Sequence, residues 1–461
     1  MPSPKERSVL IIGGSGYLGN AVGGCLSERG YKLRVLTRRL TQSFTFGYPT
    51  HAYRWDGLVI PPEALKDVDA VINLAGHPVA ERRWTPHNRK KILNSRLQST
   101  KALAVALAPM EKKPEVVIQA SAIGYYGTQG RSEICDENSP AGDEFLAQVC
   151  QAWEKEAALI ADQCRLCIAR IGLVLGWGGG ALSQLWDLYS SGLGAALGSG
   201  RQWMNWIHVT DLVAFIENAV ESSEYRGTYN LVAPHNVNNS AFHKLLCKST
   251  RSFPALKVPS LILKMVLGER ATLVLNGPKV ESRALGKQGF QFAFPKIELA
   301  MEDLLSERVH VNAHYVKIQQ WVPASIDGVW EFITSANNLE KITPPWLSFK
   351  VKELSSPTIE ENTRILYDLK VHGIPIHWRS KITAWQPKTL FADIQEQGPY
   401  AMWFHRHIFK PLAGGVLIED RVEYTLPIFP FGYLAWPLVQ NNLRKIFSYR
   451  KQRIAEILSK V

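Results

Sequence analysis

The chain has 461 residues, 46% hydrophobic and 20% charged, an ordinary soluble composition that fits two or three domains at roughly 100–200 residues each. Its formal net charge of +12 suits an anionic ligand, an acidic partner or a membrane surface without choosing among them, and no nucleic-acid motif accompanies it, so no nucleic-acid partner is expected. Six cysteines in so long a chain make no disulfide framework, and no apolar run reaches the ~18–20 residues of a transmembrane segment. The N-terminus runs almost directly into Val9–Ile12, too short an apolar run for a signal-peptide core. A soluble protein of the reducing cytoplasm is expected. Cys164 and Cys167 form a C-x-x-C at the start of an expected strand, where no helix start follows to lower a thiol pKa, so buried inert thiols are expected.

In chain order, Ser8–Ile12 reads as a strand buried on both faces. A helix follows from about Tyr17 to Arg29, closed by Gly30. Leu33–Leu36, Ala70–Leu74, Val116–Ala120 and Cys167–Leu175 are further strands, with a helix over 92–108 between the second and third of these. This rhythm predicts an α/β domain with a doubly wound parallel Rossmann sheet and right-handed crossovers. Near residue 305 the pattern changes. Strands are expected at His314–Trp321, Phe349–Leu354, Thr363–Val371, Ile376–Trp385, Leu390–Glu396, Trp403–Pro411 and Val416–Leu426. Short helices over Ile326–Phe332 and Asn337–Ile342 and a long one over Leu434–Leu458 complete a separate α+β domain. The boundary is placed in Ser306–Val311, giving domains 1–305 and 306–461.

The strongest chemical signal is Gly13-Gly14-Ser15-Gly16-Tyr17-Leu18-Gly19, which directly follows the first strand and opens a helix. Glycine is needed there for a tight turn, for close approach of the backbone to a pyrophosphate, and for close helix–strand packing. The helix start then offers N–H groups and a partial positive charge to the phosphates. The second strand ends in Leu36-Thr37-Arg38-Arg39. An acidic residue at this place would bind a ribose 2′-hydroxyl, whereas a guanidinium fits a 2′-phosphate. The cofactor expected is therefore NADP(H) in preference to NAD. Leu74-Ala75-Gly76, after Asn73, supplies small residues where a cofactor would lie across the strand ends.

Together these residues resemble the extended short-chain dehydrogenase/reductase superfamily, and more closely its atypical branch of epimerase family proteins of unassigned substrate. The resemblance covers about residues 8–300. It rests also on Arg82-Arg83-Trp84-Thr85, Ser95-Arg96, Ser121-Ala122-Ile123-Gly124-Tyr125-Tyr126-Gly127, Trp153-Glu154, Arg170–Gly176, Gly192–Gly200 with Arg201-Gln202, and Trp206–Leu212. Gly277–Pro295 resembles the small C-terminal element of that branch, placed at about 248–300. The resemblance implies that Gly13, Gly16, Gly19, Arg38, Leu74, Ala75 and Arg96 line the dinucleotide. It also places His208–Asp211 near the substrate lobe, where these residues either serve the site or simply tie a loop to a helix.

One part of the pattern is broken. The superfamily performs hydride chemistry with a Tyr-x-x-x-Lys pair and a Ser or Thr, the lysine lowering the tyrosine pKa. Here Cys150 and Glu154 occupy the tyrosine and lysine positions, and Lys155 would fall on another helix face. Ser121 remains a hydroxyl donor, and Tyr125 and Tyr126 are the nearest tyrosines for an acid/base role or for packing over a nicotinamide. Two readings stay open. One is an NADP-dependent oxidoreductase or epimerase acting on a small, partly apolar substrate. The other is a non-catalytic NADP(H)-binding sensor or scaffold.

Residues 312–461 resemble the START-like (helix-grip, polyketide cyclase-like) superfamily, through Val322-Pro323-Ala324-Ser325 leading to Val329-Trp330, Leu339–Trp346 and Asp420-Arg421-Val422-Glu423-Tyr424. The resemblance implies a cavity for a lipid-like or apolar ligand between an antiparallel sheet and the last helix. Trp330, Trp346, Trp378, Trp385, Trp403 and Trp436 are candidates to line it. His405 and His407 share a strand face, but no third ligand is evident, so no metal is expected. The long helix is expected to pack on a core with its basic face solvated.

Overall fold

The computed structural model describes residues 7–38, 46–127, 134–253, 257–427, 432 and 435–458. Within these, Arg7–Arg38 and Thr50–Asn312 form one compact unit, and Phe46–Pro49 with Ala313–Leu458 form a second. The sequence pattern placed a single boundary at 305/306. The described chain instead divides after Asn312 and also contributes Phe46–Pro49 to the second unit. There the Trp321 N–H donates to the Phe46 carbonyl at 2.8 Å, and Phe46 and Tyr48 are buried.

The first unit is built on seven parallel strands, β1 (Ser8–Ile12), β2 (Lys32–Thr37), β3 (His51–Arg54), β4 (Ala70–Asn73), β5 (Val116–Ala122), β6 (Arg165–Ile171) and β7 (Gly227–Leu231). Their order in the sheet is β7-β6-β5-β4-β1-β2-β3. β1 pairs with β2 on one side and β4 on the other, so the winding reverses there, the place where an open α/β sheet offers a crevice at its strand ends. Val9, Leu10, Ile11 and Ile12 are fully buried, as a central strand of a two-sided sheet requires. The helices that position the site are α1 (Tyr17–Glu28), α2 (Pro86–Leu107), α3 (Phe145–Ala161) and α4 (Val209–Glu221). α1 is closed two residues past its end by Gly30, whose φ of +87° is a left-handed conformation suited to glycine. α2 begins at Pro86 rather than near 92, because the Thr85 side chain accepts the Asn88 N–H and Pro86 fits the first helical position.

Two departures from the sequence pattern have local causes. The run expected as one strand, Cys167–Leu175, is two. β6 stops at Ile171, and Leu173–Leu175 leaves the sheet to pair with Trp206–His208. Gly172 marks the break, since a Cβ there would stand 2.6 Å from the Asn205 carbonyl oxygen and 2.9 Å from Val232 Cγ1. The edge strands β3 and β7 lack a continuous apolar run, and in β7 the buried Asn230 earns its place through hydrogen bonds.

The second unit is an antiparallel sheet of β8 (His314–Val322), β9 (Lys350–Leu354), β10 (Arg364–Val371), β11 (Ile374–Gln386), β12 (Leu390–Gln397), β13 (Met402–Leu412) and β14 (Gly415–Thr425), in the order β8-β14-β13-β12-β11-β10-β9. Helices Ile326–Ile333 and Ala336–Ile342 follow β8, and α5 (Trp436–Leu458) ends the described chain. Leu443 and Phe447 of α5 pack with Trp378, Trp403 and Tyr424, and Ile454 and Leu458 pack with Ile382, Phe391 and Phe409. α5 is therefore a core-packing helix. Between α5 and the sheet lies a cavity of about 220 Å³. Of the six tryptophans considered, only Trp378 and Trp403 line it. Trp330 and Trp385 meet edge to face and pack against the core, Trp346 is 56% exposed, and Trp436 stacks on His314. Among the described residues no helix is long and apolar enough to cross a membrane.

Replacing Gly172 by Ala is expected to lower stability by about 1–3 kcal/mol, because the added methyl meets backbone on one side. Urea unfolding of the full chain measures this, with an unchanged midpoint as the contrary result.

Candidate functional site

The residues singled out in the sequence gather at the C-terminal edge of the parallel sheet. Gly13 turns the chain at φ +88°, and a Cβ on it would lie 3.0 Å from both Ala75 N and Leu74 C. The turns after β1 and β4 thus meet at a contact only glycine permits. At Gly19 a Cβ would fall 2.4 Å from the Gly13 carbonyl oxygen, so α1 starts hard against the end of β1. Gly14 is buried, Ser15 and Gly16 are exposed at the helix start, and Gly16 as N-cap has no side chain to satisfy the first N–H groups. Leu18 is half-buried. Tyr17 points elsewhere: its ring packs against Gly176, Gly179 and Gly180, and its hydroxyl is buried with no partner among the described residues. Burial raises its pKa well above the ordinary value.

Leu74-Ala75-Gly76 is set by a buried amide network. Asn73 Oδ1 accepts the Ala75 N–H, and Asn73 Nδ2 donates to Gln119 Oε1 at 2.9 Å and to Thr100 Oγ1 at 3.3 Å. Gly76 faces Arg96, whose guanidinium carbon would lie 3.0 Å from a Cβ there. Arg96 donates to the carbonyls of His77 and Ile92 and rests over the Trp153 ring. Among the described residues it has no carboxylate partner, which leaves a half-buried cation beside the crevice. Thr37 is buried at the end of β2, Arg38 is exposed just beyond it, and Arg39 lies outside the described residues.

The place of the missing Tyr-x-x-x-Lys pair holds a different polar cluster. Ser121 Oγ, at the end of β5, donates to Glu154 Oε1 at 2.6 Å. Arg170 grips the same carboxylate with two bonds of 2.9 and 2.8 Å, and both side chains are buried, 5% exposed for Arg170 and 11% for Glu154. Arg170 Nη1 also donates to the Tyr126 hydroxyl, which donates in turn to Asn230 Oδ1 at 2.7 Å. Burial pushes the Tyr126 hydroxyl up to about 12. With 1% exposure and both hydrogen-bonding directions used, Tyr126 is built into the wall and does not present its hydroxyl to a substrate. Tyr125 is half-buried, with the Arg170 guanidinium 3.5 Å above its ring, and no described residue hydrogen-bonds its hydroxyl. Cys150 is buried, and burial raises its thiol to about 11. Burial likewise raises Cys164 and Cys167 to about 11. Lys155 is exposed on another face of α3.

His208–Asp211 is a clasp. The His208 Nδ1 caps α4 by accepting the Thr210 N–H, and burial lowers its pKa to about 4, which keeps the ring neutral. Asp211 accepts the N–H groups of Ala293 at 2.7 Å and Phe294 at 3.1 Å. Asn205 and Glu137 tie the same C-terminal segment through Pro278, Val280 and Ala284. Sequence reasoning missed Arg170 and Asn230 as organisers of the site. Glu154 stood out as a misfit there, and a buried carboxylate requires a cation.

Removing one partner of the buried pair is expected to cost about 3–5 kcal/mol in Arg170→Met or Glu154→Gln, with partial recovery in the double variant. Denaturant titration of the three variants tests this. Additive losses would contradict it.

Residues 9–232 match the family described as "NAD dependent epimerase/dehydratase family", and residues 258–304 match a domain of unknown function, DUF1731. The Arabidopsis thaliana protein "Epimerase family protein SDR39U1 homolog, chloroplastic" is 36% identical over 309 residues, spanning 65% of this chain and 87% of the relative. The human epimerase family protein SDR39U1 is 32% identical over 302 residues, spanning 65% of this chain and 99% of the relative. A crystal structure of human SDR39U1 (isoform 2) with NADPH superposes with a TM-score of 0.59 at 31% identity, covering 66% of this chain and all of that one. The chain therefore belongs to the epimerase family that includes SDR39U1, within the wider NAD-dependent epimerase/dehydratase group.

Proposed function

We propose that the first unit binds NADP(H) and uses it as an oxidoreductase or epimerase on a small, partly apolar molecule, and that the second is a START-like domain that holds an apolar ligand. The observation that carries the cofactor assignment is the crowding at Gly13 and Gly19, which brings bare backbone and the start of α1 to one crevice between β1 and β4. Arg96 supplies a cation without a carboxylate partner there, and Arg38 stands where an NAD-selective site carries an acid. The NADPH in the related human structure supports the same choice. The aromatic cavity between α5 and its sheet supports the reading of the second unit.

In the catalytic reading, Tyr125 is the acid/base and Ser121 a hydroxyl held at a fixed angle by Glu154. Arg170, 3.5 Å above the Tyr125 ring, holds that ring in place. When bound, the cofactor supplies or accepts hydride. The second reading, a non-catalytic sensor or scaffold, is favoured by one observation. The ordinary catalytic positions hold a buried Cys150 and a Glu154 already committed to Arg170.

Calorimetry on the full chain is expected to show NADPH binding tighter than NADH. Arg38→Ala should weaken NADPH roughly ten- to a hundred-fold, as loss of charge-assisted bonds predicts, while leaving NADH unchanged. Equal affinities for both nucleotides, or an indifferent Arg38→Ala, would refute the assignment. NADPH consumption against a carbonyl panel then separates the two readings. Catalysis predicts turnover that falls roughly 10²-fold or more in Tyr125→Phe with NADPH affinity retained. Binding without turnover across the panel supports the sensor.

A further inference from the structure

Three adjacent strands of the second sheet set two histidines between two carboxylates. Asp393 of β12 lies opposite His405 of β13, and His407, two residues on and so on the same face, lies opposite Asp420 of β14. His405, His407 and Asp420 are buried, at 5%, 4% and 7% exposure. One oxygen, Asp420 Oδ1, sits 3.0 Å from His405 Nε2 and 2.8 Å from His407 Nδ1. A carboxylate can only accept, so His405 Nε2 directs its N–H at Asp420, while His407 Nδ1 stands beside the same oxygen without an aligned hydrogen bond. The other nitrogens, His405 Nδ1 and His407 Nε2, stand 3.8 and 3.7 Å from Asp393 Oδ1, and the bond to Asp420 leaves the first of them with a lone pair.

That arrangement asks for a cation. The His405 lone pair faces an anionic oxygen, and both ring nitrogens stand too far from that oxygen for hydrogen bonds. It is close to what a metal imposes, since donors about 2.0–2.1 Å from a tetrahedral zinc stand about 3.4 Å apart. One donor atom from each of Asp393, His405 and His407 lies within 4.8 Å of the other two. Each side chain is braced. Phe391 stacks on His407 at 4.1 Å, and Ser380 Oγ, which accepts from Trp378 Nε1, lies 3.5 Å from Asp393 Oδ2. Asp393, His405 and His407 line the apolar cavity, whereas Asp420 stands behind them. Arg450, also in the cavity wall, faces Asp420 as the nearby cation and leaves the second carboxylate charge to be balanced.

We propose that Asp393, His405 and His407 bind a first-row divalent transition-metal ion, that Asp420 orients both imidazoles, and that a further coordination position opens into the cavity. Two imidazoles and one carboxylate favour zinc, iron or cobalt over magnesium or calcium. The carboxylate behind the rings matches the way metal-bound histidines are held in general. The cavity wall is otherwise largely aromatic and aliphatic, so the molecule that meets the ion is an apolar one with an oxygen or nitrogen donor at one end.

The test uses the full chain, stripped with a chelator and titrated with Zn²⁺ and with Co²⁺ under equilibrium dialysis and visible absorption. The expected result is one ion per chain at micromolar metal or below, with a cobalt spectrum of mixed nitrogen and oxygen ligation. Asp393→Asn and the His405→Ala/His407→Ala double variant should lose it, and Asp420→Asn should weaken it roughly 10- to 100-fold with all three donors present. Circular dichroism and melting curves establish that each variant is folded. If the double variant does not fold, the near-isosteric Asp393→Asn decides the matter alone. No stoichiometric ion on the wild-type chain, or undiminished binding in a folded Asp393→Asn, overturns the proposal.

Discussion

A carboxylate buried at the end of a parallel sheet has to meet a cation, and the pairing of Glu154 with Arg170 organises this site. Glu154 projects from α3 and Arg170 from β6, so the pair joins two elements that the chain separates. Its geometry fixes three further groups. Ser121 is oriented by the same carboxylate, Tyr126 is locked between Arg170 and Asn230, and Tyr125 lies flat beneath the guanidinium. The arrangement exchanges the mobile lysine of the usual short-chain dehydrogenase pair for a rigid bidentate fork. A lysine acts on a neighbouring phenol as a point charge, whereas this arginine acts through the face of one ring and the hydroxyl of another. Arg170 also connects outward, since its Nη1 donates to the Glu137 carbonyl and Glu137 accepts N–H groups from Asn230 and Ala284. The polar core of the site and the C-terminal element are thus one hydrogen-bonded body.

How much of this was legible in the sequence follows from the range of each interaction. β1, β4 and β5 are apolar runs between recognisable turns, and local composition alone marks them. The glycine turn was equally plain, because the backbone itself imposes Gly13 and Gly19. The strands of the second sheet were also readable from alternation, with ends that differ by a residue or two. β3 and β7 were not, because an edge strand needs no continuous apolar run. Nor was the division of the supposed strand at Gly172, which depends on the approach of Asn205 from far along the chain. The partner of Glu154 was invisible for a similar reason. Nothing in the spacing of residues 154 and 170 announces that β6 will bring the arginine under the helix. The tryptophans show the limit of composition. Their number suggested an aromatic cavity, but only register decides that Trp378 and Trp403 face it while Trp346 faces solvent.

The clasp at His208–Asp211 bears on how the C-terminal element is held. Asp211 is buried and would favour its neutral form, yet two backbone N–H groups from Ala293 and Phe294 satisfy the carboxylate. Asn205 does the same with its amide, donating to Pro278 and accepting from Val280. In these ties a side chain bonds to main chain, and side chains of the segment 258–304 add others, Arg283 to Asp136 and Arg270 to the Ala80 carbonyl. The bonds to main chain fix the distance of the segment from the strand ends.

Three buried histidines of this chain show how the second nitrogen decides a role. His208 and His405 have both been lowered by burial to about 4, and both are neutral near pH 7. His208 spends its Nδ1 lone pair on the Thr210 N–H, closing a helix end, so the lone pair is consumed inside the fold. His405 instead donates its Nε2–H to Asp420, with His407 Nδ1 beside the same oxygen, and the other nitrogen of each ring stands on the side of Asp393 at the cavity wall. The same residue type, at similar burial, is structural where its acceptor is used by backbone and chemically available where a carboxylate takes its donor. That difference is set by strand register, because Asp420 reaches both rings only while β14 pairs with β13 as it does. A one-residue slip between these strands would send Asp420 to the opposite face and leave both imidazoles without an anchor.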